Sequence, residues 1–391
     1  MVTFPEAYKK ILGEIQPTQP SGDSKPIDYG QAVIDTFSDK PVVLYGCGPV
    51  GRSVATGLVC WGVPILGVCD THRTGIFPTT GQSIMTPLEL REKYPDACVV
   101  ICTFNKQYED EISETLRKLG FGNSQILYYS KIFNDLPPFA IISPEVFYAE
   151  HYAGYQFAYE QLADDLSRQV LLDTVRMYLT GRPIPLSNAS PPYFEPGLIA
   201  LSNGEVFVDG GACDGGTALQ FAKECVVAGV CDWKVYSFEA DPQQQETIKM
   251  ALAPYQNMEI VMKGLWSHET ELTFSIDVNS YGSSFVLKGI YDKEVVVPVT
   301  SLDTFFESKP LHDWPTFIKM DIEGAEPEAL RGARKILHNK CPKLALCVYH
   351  HVSHPYELLR IAHECNPDYR FYLRQYTMGY YETVLYAVQR K

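Results

Sequence analysis

The chain has 391 residues, of which 46% are hydrophobic and 20% charged, and its formal net charge is −14. That length exceeds one ordinary hydrophobic core and predicts two domains. The acidic balance excludes a polyanion as the main partner, because nucleic-acid binding rests on Lys and Arg neutralising phosphates.

The opening MVTFPEAYKKILGEIQ lacks the charged head and apolar stretch of a signal peptide, and no run of about 18 apolar residues occurs. A cytoplasmic protein without a membrane span is expected. Eleven cysteines, none in a CxxC pair, predict reduced thiols. Cys98 and Cys102 in ACVVIC would share one face of a strand, where core packing is a better reading than metal ligation.

Residues 1–40 contain Pro17, Pro20, Gly22 and Pro26 and read as an N-terminal arm. From 41 to 134, apolar strands (VVLYG, PILGVCD, ACVVICTF, QILYY) alternate with helical stretches (51–61, the segment after TPLELREKY, EDEISETLRKLGF), the pattern of a parallel sheet covered on both faces. Gly46, Gly48 and Gly51 form GxGxxG between the strand VVLY and a helix, and Asp70 ends the next strand. This is a dinucleotide-type turn, with a helix N-terminus for a pyrophosphate and a carboxylate for ribose hydroxyls. Two readings stay open: a nucleotide bound in the N-terminal domain, or a Rossmann-like scaffold that keeps its glycines for close packing. No catalytic set accompanies the turn.

Residues 135–197 read as a helical linker, with Tyr148, Tyr152, Tyr155, Tyr159, Leu162 and Leu166 forming a packing stripe rather than a sugar platform. Gly181 is expected to cap the last helix before a Pro-rich connection. From 198 to 391 the alternation resumes through EVFVDGG, KVYSFEAD, EIVMKGLWS, FIKMDIEGAE and KLALCVYHH. ELTFSID and EVVVPVT read as β additions, and FYLRQY with ETVLYAVQ as a final hairpin. The expected fold is α/β: two doubly wound Rossmann-like units joined by a helical segment.

The turn of the second unit nearly repeats the first through Gly210, Gly211, Ala212 and Gly215, but Asp209 now ends the strand. Facing a pyrophosphate, that carboxylate would cost about 4 kcal/mol at 4 Å and an effective dielectric of 20, so a ligand with a positive end, such as S-adenosyl-L-methionine, is favoured. Glu239, with Ala240 beside it, ends the next strand, where an acceptor-only carboxylate suits two ribose hydroxyls. Trp266 reads equally as an adenine contact or a core residue. Asp209, Glu239, Asp321 and His350 all fall at the carboxyl ends of strands, where open α/β sheets place their sites.

Residues from about 160 to 390 resemble the FkbM-type family of S-adenosylmethionine-dependent methyltransferases through VFVDGGACDGGT, VYSFEADP, VTSLDTFF and FIKMDIEGAEPEALRGA. The most specific of these elements is DxEGxE, here Asp321, Glu323, Gly324 and Glu326. One departure is Gly216 and Thr217, where the family often has Asp or Asn. The resemblance implies a class I methyltransferase fold in the C-terminal unit, S-adenosyl-L-methionine as cofactor, and methylation of hydroxyls on sugars, glycolipids or polyketides.

On this reading His350 is the expected general base, with Asp321 and Glu323 beside the acceptor. Asp321 with His350 would also suit a divalent metal, but two ligands do not define a site and none is claimed. Glu326 is expected as a helix-start cap, His351 and His354 as surface or loop residues, and Arg374 as either an acceptor anchor or the partner of a carboxylate. The rival to an O-methyltransferase is a non-catalytic sensor or assembly protein that binds nucleotides or cofactor without turnover.

Overall fold

The computed structural model describes residues 2–15, 37, 40–60, 63–103, 106–128, 142, 144–180, 184–187, 191–276, 293–377 and 381–389. Most of the expected N-terminal arm and the cap at Gly181 lie outside these. By internal contacts the chain divides into two compact units, 1–149 with 172–184, and 150–171 with 185–391. The segment 135–197 is therefore shared between the units.

In the first unit, β1 (Val42–Tyr45), β2 (Ile65–Cys69), β3 (Ile84–Met85), β4 (Cys98–Ile101) and β5 (Ile126–Tyr128) form a parallel sheet in the order β3-β2-β1-β4-β5. The strands are apolar at every position because both faces are covered. Val42, Leu44, Val68 and Val100 enter one core, while Val43, Tyr45, Cys69, Val99 and Ile101 enter the other. Strand β3, only two residues long, was not expected; it carries too little pattern to be seen. Cys98 and Cys102 are buried, in keeping with packing.

The segment 144–180 is three helices, Pro144–Glu150, Tyr152–Gln161 and Asp165–Thr180, where one continuous stripe was expected. The break after Leu162 follows from its extended backbone and from Asp164, whose carboxylate accepts the Ser167 N–H at 2.8 Å and starts the next helix. Tyr155 and Tyr159 pack as expected, whereas Tyr148 and Leu166 are exposed.

The second unit is built on β6 (Glu205–Gly210), β7 (Trp233–Phe238), β8 (Met258–Val261), β9 (Gly264–Leu265), β10 (Thr270–Ile276), β11 (Lys293–Thr300), β12 (Phe317–Met320), β13 (Lys343–Cys347), β14 (Tyr369–Gln375) and β15 (Thr383–Gln389). Seven of these form one sheet in the order β14-β15-β13-β12-β6-β7-β8, and β9, β10 and β11 form a second, smaller sheet. In the large sheet β15 alone among the inner strands is antiparallel, pairing with both β13 and β14. The strand order reverses between β6 and β12, which opens a crevice at their carboxyl ends. Among the described residues no helix is long and apolar enough to cross a membrane.

Candidate functional site

A cavity of about 460 Å³ opens at that reversal point. Its lining includes the turn Gly211–Asp214, Glu239, Ala240, Asp241 and Phe274, together with Tyr193, Lys319, Asp321, Glu323, Tyr349 and Glu382.

The turn is held by backbone geometry that only glycine gives. Gly211 has φ 75°, and a Cβ there would sit 1.8 Å from the Asp321 carbonyl oxygen, so the two strand ends approach too closely for any side chain. Glu239 accepts the Cys213 N–H at 2.6 Å with one carboxylate oxygen and the Asp241 N–H at 2.7 Å with the other. Each oxygen keeps a second lone pair, and the carboxylate lines the cavity, so it can still take a pair of hydroxyls. Burial raises its pKa, against the pull of those two amides.

Asp209 was expected to face the ligand. It is instead fully buried, off the cavity wall, with Lys319 Nζ 3.1 Å from its Oδ1. The two residues are register partners on β6 and β12. Lys319 also donates to the carbonyls of Gly210 at 3.1 Å and Gly211 at 2.8 Å, so the pair fastens the turn from below. Trp266 packs with Phe274, Val297, Val299 and Ala325 and does not line the cavity, which favours the core reading.

Asp321, next to that turn, accepts hydrogen bonds from Tyr193 Oη at 2.9 Å and Tyr349 Oη at 3.1 Å. Burial would raise its pKa, but Lys319, His350 and the Tyr193 hydroxyl hold it below the usual carboxylate value. His350 is buried behind Asp321 and Glu323. Its Nδ1 lies 2.9 Å from Glu326 Oε1, and its Nε2 lies 3.4 Å from Asp321 Oδ1 and 3.6 Å from Glu323 Oε2. Burial alone would push the imidazole down, but Glu326, Glu323 and Asp321 together raise its pKa to about 10.

A pKa raised that far favours the imidazolium, which has no lone pair to offer, and so weighs against the general-base role expected of His350. The donor atoms of Asp321, Glu323 and His350 lie within 4.8 Å of one another, a spacing a cation can use; the imidazolium itself supplies positive charge there.

Glu326 does more than cap a helix. It is fully buried, accepts the N–H groups of Ile322 at 2.9 Å and Gly324 at 3.1 Å, and so shapes the DIEG turn while holding His350. Glu323, at the top of that turn, has φ 54° and a carboxyl pushed by burial to about 7. His351 is exposed as expected, but His354 is buried against Glu326, with its Nδ1 at 3.5 Å, and burial lowers its pKa to about 4. Arg374 takes the carboxylate-partner role: its Nη2 lies 2.8 Å from Asp164 Oδ2 and its Nε 3.6 Å from Glu195 Oε1. Tyr193, Lys319, Tyr349 and Glu382 belong to the site without having been singled out from sequence.

In the first unit, Gly46 has φ 115°, and a Cβ on Gly51 would lie 1.8 Å from the Gly46 carbonyl oxygen, so both glycines serve close packing of the turn. Asp70 is occupied by three backbone amides: Cys47 N–H at 2.8 Å on Oδ2, with His72 N–H at 2.9 Å and Arg73 N–H at 3.1 Å on Oδ1. The close packing fits the scaffold reading, while Oδ2 keeps a second lone pair, as the Glu239 oxygens do, so the ribose reading stays open.

The sequence matches the family Methyltransferase FkbM domain over residues 209–376, a span that runs from Asp209 to the last turn of the large sheet and contains most of the cavity wall. Residues 209–376 are thus similar to an FkbM methyltransferase domain. A methyltransferase FkbM from Methylobacillus flagellatus KT is similar in structure, with a TM-score of 0.60, 21% identity and 98% of each chain covered, a likeness of fold that extends beyond the FkbM domain. Two further structures are more distant. Aeropyrum pernix fibrillarin in complex with S-adenosyl-L-methionine has a TM-score of 0.32 and 10% identity, over 49% of this chain and 70% of that one. A SAM dependent methyltransferase from Aquifex aeolicus has a TM-score of 0.27 and 14% identity, over 48% and 84%. No curated protein gives a significant match.

Proposed function

We propose that the chain is an S-adenosyl-L-methionine-dependent O-methyltransferase acting on a hydroxyl of a sugar, glycan or glycosylated acceptor. The observation that carries this reading is one cavity at the sheet's reversal point lined both by a glycine turn with Glu239 and by an acidic cluster of Asp321, Glu323 and Glu382. The glycine turn and Glu239 suit an adenosyl group: Gly211 leaves its backbone bare, and Glu239 keeps a lone pair on each oxygen. The bound cofactor would supply a methyl group on a cationic sulfonium.

Among the described residues the cavity lining includes Asp321, Glu323 and Glu382 with Lys319, which is already committed to Asp209, and His350 behind Asp321 and Glu323 leaves the lining more acidic than basic. A wall of that charge tolerates the sulfonium and opposes a phosphate or carboxylate on the acceptor, and so favours an uncharged hydroxyl compound. Asp321, fixed by two tyrosine hydroxyls, is suited to orient such a hydroxyl. We assign this chemistry to residues 198–391 and an auxiliary role to 41–134.

The test uses methyl-labelled S-adenosyl-L-methionine with a panel of methyl glycosides and with glycans from cell extracts. Label on a methyl glycoside that survives mild alkali identifies an ether and supports the reading. Alkali-labile label identifies a methyl ester instead. Tight cofactor binding with no acceptor labelled favours a non-catalytic sensor.

A further inference from the structure

Glu382 immediately precedes β15 and lines the cavity, and the sequence analysis assigned it no role. Its backbone is left-handed at φ 64°, a conformation that strains a non-glycine residue and persists only where the surroundings impose it. The surroundings do so here. The side-chain amide of buried Gln375 donates to the Tyr381 carbonyl at 2.6 Å, the Gln375 carbonyl accepts the Thr383 hydroxyl, and the Glu382 carbonyl accepts the Tyr376 N–H at 3.1 Å. The peptide is clamped on both sides of Glu382.

The clamp delivers a carboxyl group whose Oε2 is buried and has no hydrogen-bond partner, on the wall that also carries Asp321, Glu323 and Tyr349. Buried polar atoms are normally satisfied, and an unpartnered one on a residue that lines a cavity points to a ligand group that completes it.

We infer that Glu382 is the base that receives the acceptor's hydroxyl proton. The inference rests on the hydroxyl-acceptor reading above. In the step, the acceptor oxygen bonds the methyl carbon, the carbon–sulfur bond breaks with its electrons staying on sulfur, and the hydroxyl proton passes to Glu382 Oε2. The positive charge lost at sulfur is matched by the negative charge lost at the carboxylate.

The other acidic groups on the wall are poorer candidates. Asp321 is held ionised by Lys319 and His350 and already accepts two tyrosine hydroxyls. Glu323 is raised to about 7 as Glu382 is, but its Oε2 has the His350 ring 3.6 Å away, whereas Glu382 Oε2 has no hydrogen-bond partner. Burial and then Asp321 raise Glu382 to about 7, while Lys319 and His350 pull it down; Tyr193, Tyr349 and Cys347 are the other titratable groups in its field. A carboxyl that titrates near the working pH is well matched to proton transfer.

The test compares wild type, Glu382→Gln and Glu382→Gly in the full chain by calorimetry with S-adenosyl-L-methionine, by thermal unfolding without ligand, and by label transfer to the glycoside panel. Glu382→Gln should keep cofactor affinity within about twofold and lose about 10²–10⁴ in turnover. Glu382→Gly, which relieves the left-handed backbone, should raise Tm.

Turnover of Glu382→Gln within threefold of wild type overturns the inference. A Tm that falls in Glu382→Gly also overturns it, because Glu382 would then be structural. If wild type labels nothing in the panel, the hydroxyl-acceptor reading falls. The Tm of Glu382→Gly still decides in that case whether Glu382 is held under strain for a ligand.

Discussion

Asp209 and Lys319 face each other across β6 and β12 as a buried ion pair, with Nζ 3.1 Å from Oδ1 and the same ammonium bonded to the carbonyls of Gly210 and Gly211. Removing one member strands the other without water, which costs about 3–5 kcal/mol in buried pairs. Lys319→Met and Asp209→Ala should each destabilise the fold by that order in urea unfolding. A loss below about 1 kcal/mol in both would show that the turn does not depend on the pair.

Glu239 should behave differently. Glu239→Gln keeps an acceptor but turns one oxygen into a donor beside two backbone amides, and Glu239→Ala removes both oxygens. Cofactor affinity should drop by about 10–150-fold in the alanine variant, the equivalent of about 1.5–3 kcal/mol for hydrogen bonds to a charged group. Calorimetry reads this directly. Affinity within twofold of wild type would place adenosylmethionine elsewhere.

The imidazolium assignment of His350 makes a signed pH prediction. Its pKa rises from an ordinary 6.5 to about 10 on folding, through burial opposed by Glu326, Glu323 and Asp321. The folded state therefore holds the extra proton, and the resulting stability is complete below about 6.5 and lost as pH climbs through about 10. The Tm advantage of wild type over His350→Gln should be largest near pH 6 and shrink steadily toward pH 10. An advantage that grows with pH would mean a neutral imidazole and revive His350 as a base. Chelator should leave both Tm and label transfer unchanged, whereas inhibition by EDTA with rescue by magnesium would put a divalent ion among these carboxylates.

Asp70 is predicted to be a structural staple. Asp70→Ala releases three backbone amides of the first glycine turn and should lower the Tm of the full chain. Saturation-transfer NMR with NADH and with a nucleoside diphosphate sugar should show no contact that Asp70→Ala abolishes. A contact of that kind would make the first turn a ligand site.

The strands and both glycine turns were legible in the sequence because a sheet buried on both faces writes itself as a continuous apolar run, and a tight turn leaves a glycine where a Cβ would collide. Gly211 and Gly51 were readable for that reason. Asp321 and Glu239 were readable as charges at strand ends, and the structure brings both to one cavity. Asp209 followed the same rule and still points away, because Lys319 sits opposite it on another strand, 110 residues downstream, and reads in FIKM as a minor interruption of apolar sequence. The charge of His350 is set by three carboxylates that only folding assembles. Glu382 carries no local signal, since its conformation is imposed by a glutamine on the neighbouring strand.

The large sheet is closed by its last strand from the inside. Because β15 slots between β13 and β14, the flank of β13 remains an open hydrogen-bonding edge during synthesis until residues 383–389 emerge. Leu344, Ala345, Leu346 and Cys347 on that edge are all buried in the finished fold, which makes it a flat apolar template for any other extended chain nearby. Nascent and truncated forms ending before Thr383 should therefore self-associate through β13, and the same insertion that protects this edge supplies Glu382 to the cavity in its final turn of chain.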